Sequence, residues 1–302
     1  MNYDESQQIV LGLVLASMMF GVALELKLAH FLFVLKRPVS VMIGLVCQCL
    51  LLPWLTLLAT LVLDIRPGLA LGMMLVACCP GGNMSNIITH LARGNTALSV
   101  SVTSVSSLLA IITLPLNFAL ISSLNPQTAA FLKGEMGALN VDSGGIVMGL
   151  VLMLVLPLLS GMLVGNLFPR FTHTILPLFK RLSMSAFGLF LGIAIYTNWQ
   201  MLVESIGLVF LLVIAQNAAA LALGWGAAKL AGVPEVDRRA LTIEVGMQNS
   251  GLALGLFLTQ FGAQPDMALI AALWGTWHIV SGLLLVLIWR RRVPHPHKEH
   301  LA

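Results

Sequence analysis

Charge is what this sequence lacks most. Only 9% of its 302 residues are Asp, Glu, Lys or Arg, against 58% that are hydrophobic. A soluble domain carries roughly a quarter of its residues as charges, so a chain that hides one core from water is excluded. A mean hydropathy of +0.96 points to lipid as the solvent instead. Cysteine is also scarce. The four present, Cys47, Cys49, Cys78 and Cys79, occupy alternate or adjacent positions inside apolar runs. Side chains so placed on a helix do not face each other, which argues against a disulfide framework or a zinc site. There is no basic patch: the net charge of +4 is scattered between apolar runs, and a nucleic-acid partner is excluded. Finally, the opening MNYDESQQ has two acids and no base. A cleaved secretory signal needs a basic start, so the first apolar run is expected to remain as a span whose N-terminus lies outside.

What the sequence has in abundance is apolar segments near the roughly 20 residues needed to cross a bilayer. Nine are counted, over residues 8–26, 40–63, 68–91, 97–124, 144–168, 182–196, 201–230, 241–261 and 267–289. The sixth is short unless it starts near Pro177. Residues 125–143 form the only long connection and divide the chain into two halves. With the N-terminus outside, 14 of the 16 basic residues fall in cytoplasmic loops, and only Arg66 and Lys133 lie outside. The fold class expected is an all-α polytopic membrane protein with nine transmembrane helices, N-terminus out and C-terminus in.

Two of these segments are broken. The third is interrupted at Cys79-Pro80-Gly81-Gly82-Asn83, and the eighth carries Glu244-Val245-Gly246-Met247-Gln248-Asn249-Ser250-Gly251. One enters from outside and the other from inside, as inverted repeats require, with sites where the broken helices cross. The second half holds five spans and the first four, which implies a ten-span plan lacking its first helix. Proline removes a donor and glycine frees the backbone, so each break restarts a helix whose N-terminal N–H groups attract an anion. Either break alone reads equally as a packing kink. Together with a buried acid they read as a site, because a carboxylate at the middle of a span costs on the order of 2.5–3.5 kcal/mol and needs a partner.

Hard cations take carboxylate, amide, hydroxyl and carbonyl oxygens, and all are present. Ser99 and Thr103 lie one helical turn apart, though on their own they read as interhelical hydrogen bonding. Gln48 sits alone in the second apolar run. Gln216 and Asn217, in the seventh, are candidates to support the crossing. His295, His297 and His300 read as a solvated basic tail rather than a metal site. An intramembrane serine protease is a poor fit, since Gln248 stands where a GxSG pattern needs glycine.

CCPGGNMSN at 78–86, ALSVSVTS at 97–104 and EVGMQNSGLA at 244–253 resemble the bile acid:sodium symporter family, known as BASS. The resemblance covers nearly the whole chain. It implies a panel domain of residues 1–38 and 144–199 and a core of residues 39–124 and 200–292, followed by a cytoplasmic tail, 293–302. The core's broken helices would lie at 79–86 and 244–251. It implies two sodium ions and no organic cofactor. The first ion would use Ser85, Asn86, Ser99, Thr103 and Glu244. The second would use Gln48, Glu244, Gln248 and the backbone carbonyls of Val245 and Met247. Asn83, Asn249 and His278 would contact substrate, although Ile279 stands where an asparagine often follows the family's histidine. The expected function is sodium-coupled import of an organic anion, a bile acid or smaller carboxylate, by alternating access across the inner (plasma) membrane. A monomer is expected. The alternative is a proton-coupled or sodium/proton-exchanging carrier of small acids such as pantoate or keto acids.

Overall fold

The computed structural model describes residues 13–14, 16–17, 19–138, 143–197, 199–261 and 264–290. The acidic N-terminal stretch 1–8 and the tail 293–302, with its three histidines, lie outside the described residues. Among the described residues the architecture is all-α. A helical segment at 19–23 ends in a turn at 24–25 and is followed by α1 (Leu28–Lys36). Then come α2 (Pro38–Val62), α3 (Pro67–Cys78), α4 (Asn83–Leu91) and α5 (Thr96–Leu124). After these are α6 (Pro126–Ala138), α7 (Ser143–Leu167), α8 (Pro169–Thr197) and α9 (Trp199–Leu230). The chain closes with α10 (Glu235–Gly246), α11 (Ser250–Gln260) and α12 (Pro265–Arg290).

Proline sets many of the starts. Pro38, Pro67, Pro126, Pro169 and Pro265 each open a helix, where the missing N–H would have had no intrahelical partner. Among the described residues, four stretches are long and apolar enough to cross a membrane: Pro38–Val62, Thr96–Leu124, Gly207–Leu230 and Pro265–Arg290. Pro67–Cys78 is a shorter apolar helix, and Leu154–Leu167 is an apolar part of α7. Two sequence expectations differ in detail. The sixth segment is not short, because the helix runs from Pro169 straight through Pro177. The 125–143 connection is helical over Pro126–Ala138, started by Asn125, whose Oδ1 accepts from the Gln127 and Thr128 amides.

α3 is buried on every side from Gly68 to Cys78, as a helix apolar all round must be. It lies against α12 so closely that a Cβ at Gly72 would meet Ile270 Cβ at 3.0 Å. Gly161 and Gly165 on α7, a small-xxx-small pair, admit the backbone of the first helical segment in the same way. Cβ atoms there would stand 2.7 Å from the carbonyls of Phe20 and Leu24.

One end of the bundle is tied by polar groups. Asp237 is buried and accepts from Ser40 Oγ at 3.0 Å and Asn95 Nδ2 at 2.7 Å, joining α2, the α4–α5 turn and α10. Arg239 is only 1% exposed, so it is an interior group rather than a free loop charge. Its Nη1 donates to the carbonyls of Ala92 (2.9 Å) and Trp289 (3.3 Å), closing the ends of α4 and α12, while Glu235 pairs with the rest of the guanidinium. Replacing it with an apolar side chain leaves two helix-end carbonyls without this donor. Arg239→Met is expected to lower stability by roughly 2 kcal/mol, read as an earlier thermal unfolding transition of the purified protein.

Candidate functional site

The two breaks meet. Residues 79–82 and 247–249 run antiparallel across each other, with Gly81 opposite Gln248. Gly82 N donates to Met247 O at 3.3 Å and Asn249 N to Pro80 O at 2.9 Å. The backbone groups released by breaking two helices therefore satisfy one another. Neighbouring amides on α9 brace the two arms: Gln216 Nε2 donates to Met73 O of α3 at 2.9 Å, and Asn217 Nδ2 donates to Gly246 O of α10 at 2.7 Å.

Glu244, on the last turn of α10, points into this crossing and is 0% exposed. Ser85 Oγ and Ser99 Oγ each lie 2.7 Å from Oε2, and Thr103 Oγ1 lies 2.5 Å from Oε1. Asn86 Oδ1 stands 2.9 Å from Ser99 Oγ and 3.3 Å from Thr103 Oγ1. So α4, α5 and α10 bring all five oxygen-bearing side chains of the first expected set into one cluster. Gly81 is there for a steric reason, since a Cβ on it would sit 2.1 Å from Glu244 Oε1.

Each hydroxyl of this cluster lies between the carboxylate and a second acceptor. Ser85, Ser99 and Thr103 hold one hydroxyl proton each. Beside the two Glu244 oxygens, the second acceptors are Asn86 Oδ1 for Ser99, Gly82 O (2.7 Å from Ser85 Oγ) and Ser99 O (3.0 Å from Thr103 Oγ1), and Gly82 O also accepts from Ser85 N. Among the described residues no Lys, Arg or His forms an ion pair with Glu244. A buried carboxylate without a cationic side chain, among hydroxyl, amide and carbonyl oxygens, is an environment for a hard cation.

The second set also converges. Gln48 Nε2 donates to Glu244 O at 3.1 Å and to Gln248 Oε1 at 3.3 Å, and Gln248 Nε2 donates to Val245 O at 2.9 Å. Gln48 lies 1% exposed within a π-helical turn, Cys47–Leu51, and its Oε1 has no hydrogen-bond partner among the described residues. Met247 contributes its carbonyl to the crossing itself, through Gly82 N.

Residues 12–205 match the Sodium Bile acid symporter family. The chain belongs to that family. It is thus a member of a transporter family rather than an enzyme family. A Bacillus subtilis protein named as an uncharacterized sodium-dependent transporter, YocS, is 32% identical over 279 residues, covering 92% of this chain and 82% of the relative. A chloroplastic sodium/metabolite cotransporter of Arabidopsis thaliana, BASS1, is 30% identical and covers 97% of this chain and 69% of its own. The human ileal sodium/bile acid cotransporter is 29% identical over 80% of this chain and 67% of its own.

The three residues assigned to substrate in this symporter-family chain are placed differently from one another. Asn249 caps α11, its Oδ1 accepting from Leu252 N at 3.0 Å. Asn83 opens α4 and is half-buried, but its Nδ2 donates to Glu25 Oε2 at 2.6 Å, a partner that sequence reasoning missed. His278 is 4% exposed, and its Nδ1 lies 2.6 Å from the Trp274 carbonyl one turn back on α12. Asn83 and Asn249 flank the crossing, whereas His278 is enclosed within its own helix contact. The π-helical turn was also missed: Cys47–Leu51 contains neither proline nor glycine, the usual signals of a broken helix.

Proposed function

We propose that this chain is a sodium-coupled symporter of an organic anion, using two sodium ions. The observation that carries the reading is the ring of hydroxyl and amide oxygens around fully buried Glu244, which has no cationic side chain paired with it among the described residues. Sodium would be held first by Ser85, Asn86, Ser99, Thr103 and Glu244. A second ion would be held by Gln48, Gln248, Glu244 and the carbonyls of Val245 and Met247, where the unpartnered Gln48 Oε1 supports the assignment. The names of the relatives agree with sodium coupling, and with nothing finer. Bound cations would neutralise Glu244 and stiffen the crossing, which presents the N-termini of α4 and α11 toward a carboxylate or sulfonate. Sodium and anion then favour the same arrangement, which is the physical content of coupling. We assign α2–α5 and α9–α12 to a core that moves against a panel of the first helical segment, α7 and α8. The nine-span arrangement, N-terminus out, belongs to this proposal, as does a place in the plasma membrane.

The test is uptake of radiolabelled carboxylates and bile salts into proteoliposomes across an imposed sodium gradient at clamped pH. Sodium-driven accumulation is the expected result. Accumulation that follows a proton gradient and ignores sodium would overturn the reading in favour of a proton carrier. Within the first set, Ser99→Ala is expected to weaken sodium about tenfold, since hydrogen bonds and ligation involving charged groups are worth about 1.5–3 kcal/mol. Ser101→Ala is the control. Its hydroxyl donates to Ala97 O at 2.8 Å on its own helix, and sodium affinity should stay as in the wild type. Sodium titration of the thermal transition reads both.

A further inference from the structure

The half-buried carboxylate of Glu25 stands where an incoming anion would be expected. Asn83 is the first residue of α4, at the helix N-terminus created by the break, and its amide Nδ2 donates to Glu25 Oε2 at 2.6 Å. The two residues are 58 positions apart, so the contact is made by tertiary placement rather than local chain geometry. That placement is held from both sides. Buried Leu24 and Leu26 flank Glu25, and the turn's backbone lies on α7, where Gly165 approaches the Leu24 carbonyl and Asn166 Nδ2 donates to Leu26 O at 3.1 Å. Five residues on, His30 Nδ1 lies 3.1 Å from Ser104 Oγ of α5. The turn is thus fixed to α7 and α5 while its acid reaches α4.

Resting on the transport reading above, we infer that Glu25 is a specificity-determining residue: a tethered carboxylate that competes with the transported anion for Asn83. A hydrogen bond from an amide to a carboxylate is charge-assisted, and the helix N-terminus adds to it. A substrate carboxylate can replace Glu25 on Asn83 with little net change in that bond, but it must compete with a group whose effective concentration is in about the millimolar range. Simple anions such as acetate have nothing further to offer and lose this competition. Carboxylates with an organic body, able to add apolar contact, win it. The exchange also frees the 24–26 turn from α4, so anion binding and separation of these two elements become one event. Glu25 therefore acts on which anions bind rather than on the ion cluster around Glu244.

The experiment uses the full purified chain in detergent, as wild type, Glu25→Gln and Glu25→Ala. Acetate, pyruvate and taurocholate are the probes, and affinity is read by calorimetry and thermal shift in sodium. Glu25→Gln and Glu25→Ala are expected to bind the probes about tenfold more tightly than wild type, with the largest gain for acetate. Their thermal shift on adding sodium alone should equal that of wild type. A merely structural role predicts the opposite direction, a loss of anion affinity. Weaker or unchanged binding in both variants, or no binding of any probe by any of the three proteins, overturns the inference. The sodium arm keeps the two readings apart. A wild type that does not respond to sodium overturns the symport reading, whereas an intact sodium response with unchanged anion affinity overturns only the role of Glu25.

Discussion

Glu244→Gln is expected to fold and to lose its response to sodium. The substitution keeps the shape of a side chain that is 0% exposed and removes its charge. The hydroxyl network has other acceptors to turn to: Ser85 Oγ is already 2.7 Å from Gly82 O, and Ser99 Oγ is 2.9 Å from Asn86 Oδ1. A buried uncompensated charge is also removed, so stability without sodium should be equal to or above that of wild type. The loss falls on cation binding. Attraction between unit charges 4 Å apart is about 4 kcal/mol at an effective dielectric near 20, which corresponds to a roughly thousandfold weaker site. In wild type, sodium at a hundred times its dissociation constant stabilises the fold by about 2.7 kcal/mol through binding alone. The unfolding temperature in sodium minus that in potassium at equal ionic strength should be positive for wild type and near zero for the variant. Sodium-driven uptake should vanish with it. A sodium-specific shift of wild-type size in Glu244→Gln would remove the carboxylate from the proposed mechanism.

The breaks and the acid were visible in the sequence because they violate its background. Pro80, Gly81 and Gly82 interrupt an apolar run, and Glu244, Gln248 and Asn249 do so in another. Ser99 and Thr103 were visible through their one-turn spacing, and the structure joins both to Glu244. The pairing of the breaks was not visible, since it is made by backbone groups such as Gly82 N and Met247 O, which every residue carries. Arg239 misled for a related reason. By composition it is one more base between apolar runs, and only the meeting of the Ala92 and Trp289 carbonyls around it shows why it is buried. Residues 126–138 were read as connection because Gln127, Lys133, Gly134 and Glu135 dilute their hydropathy, yet a capping asparagine followed by proline starts a helix without needing an apolar face. Glu25 carries no local signal at all: an acid at the end of an apolar run is common, and its meaning comes from Asn83.

Gly81→Ala tests whether the crossing and the ion cluster are one object. A Cβ at Gly81 would lie 2.1 Å from Glu244 Oε1 and 3.2 Å from Gln48 Nε2, so something must move. The carboxylate cannot swing aside freely, because Thr103 holds Oε1 while Ser85 and Ser99 hold Oε2. Nor can the backbone retreat without opening the bridge to Gln248 and the Gly82–Met247 and Asn249–Pro80 hydrogen bonds beside it. Either response damages the site: the first pulls Glu244 from its hydroxyls, the second separates the two arms. The expected cost is about 3 kcal/mol of stability, at the upper end of overpacking, together with loss of the sodium-specific thermal shift. Gly82 supplies the comparison. Its nearest contact for a Cβ is Asn249 Cα at 3.6 Å, an ordinary separation, and its φ of −106° suits any residue. Gly82→Ala should therefore keep both stability and the sodium response. If the two variants behave alike, the close approach of Gly81 to the carboxylate does not govern the site. If only Gly81→Ala fails, one methyl group separates a chain that binds sodium from one that cannot, because the backbone crossing forms the wall of the ion cluster.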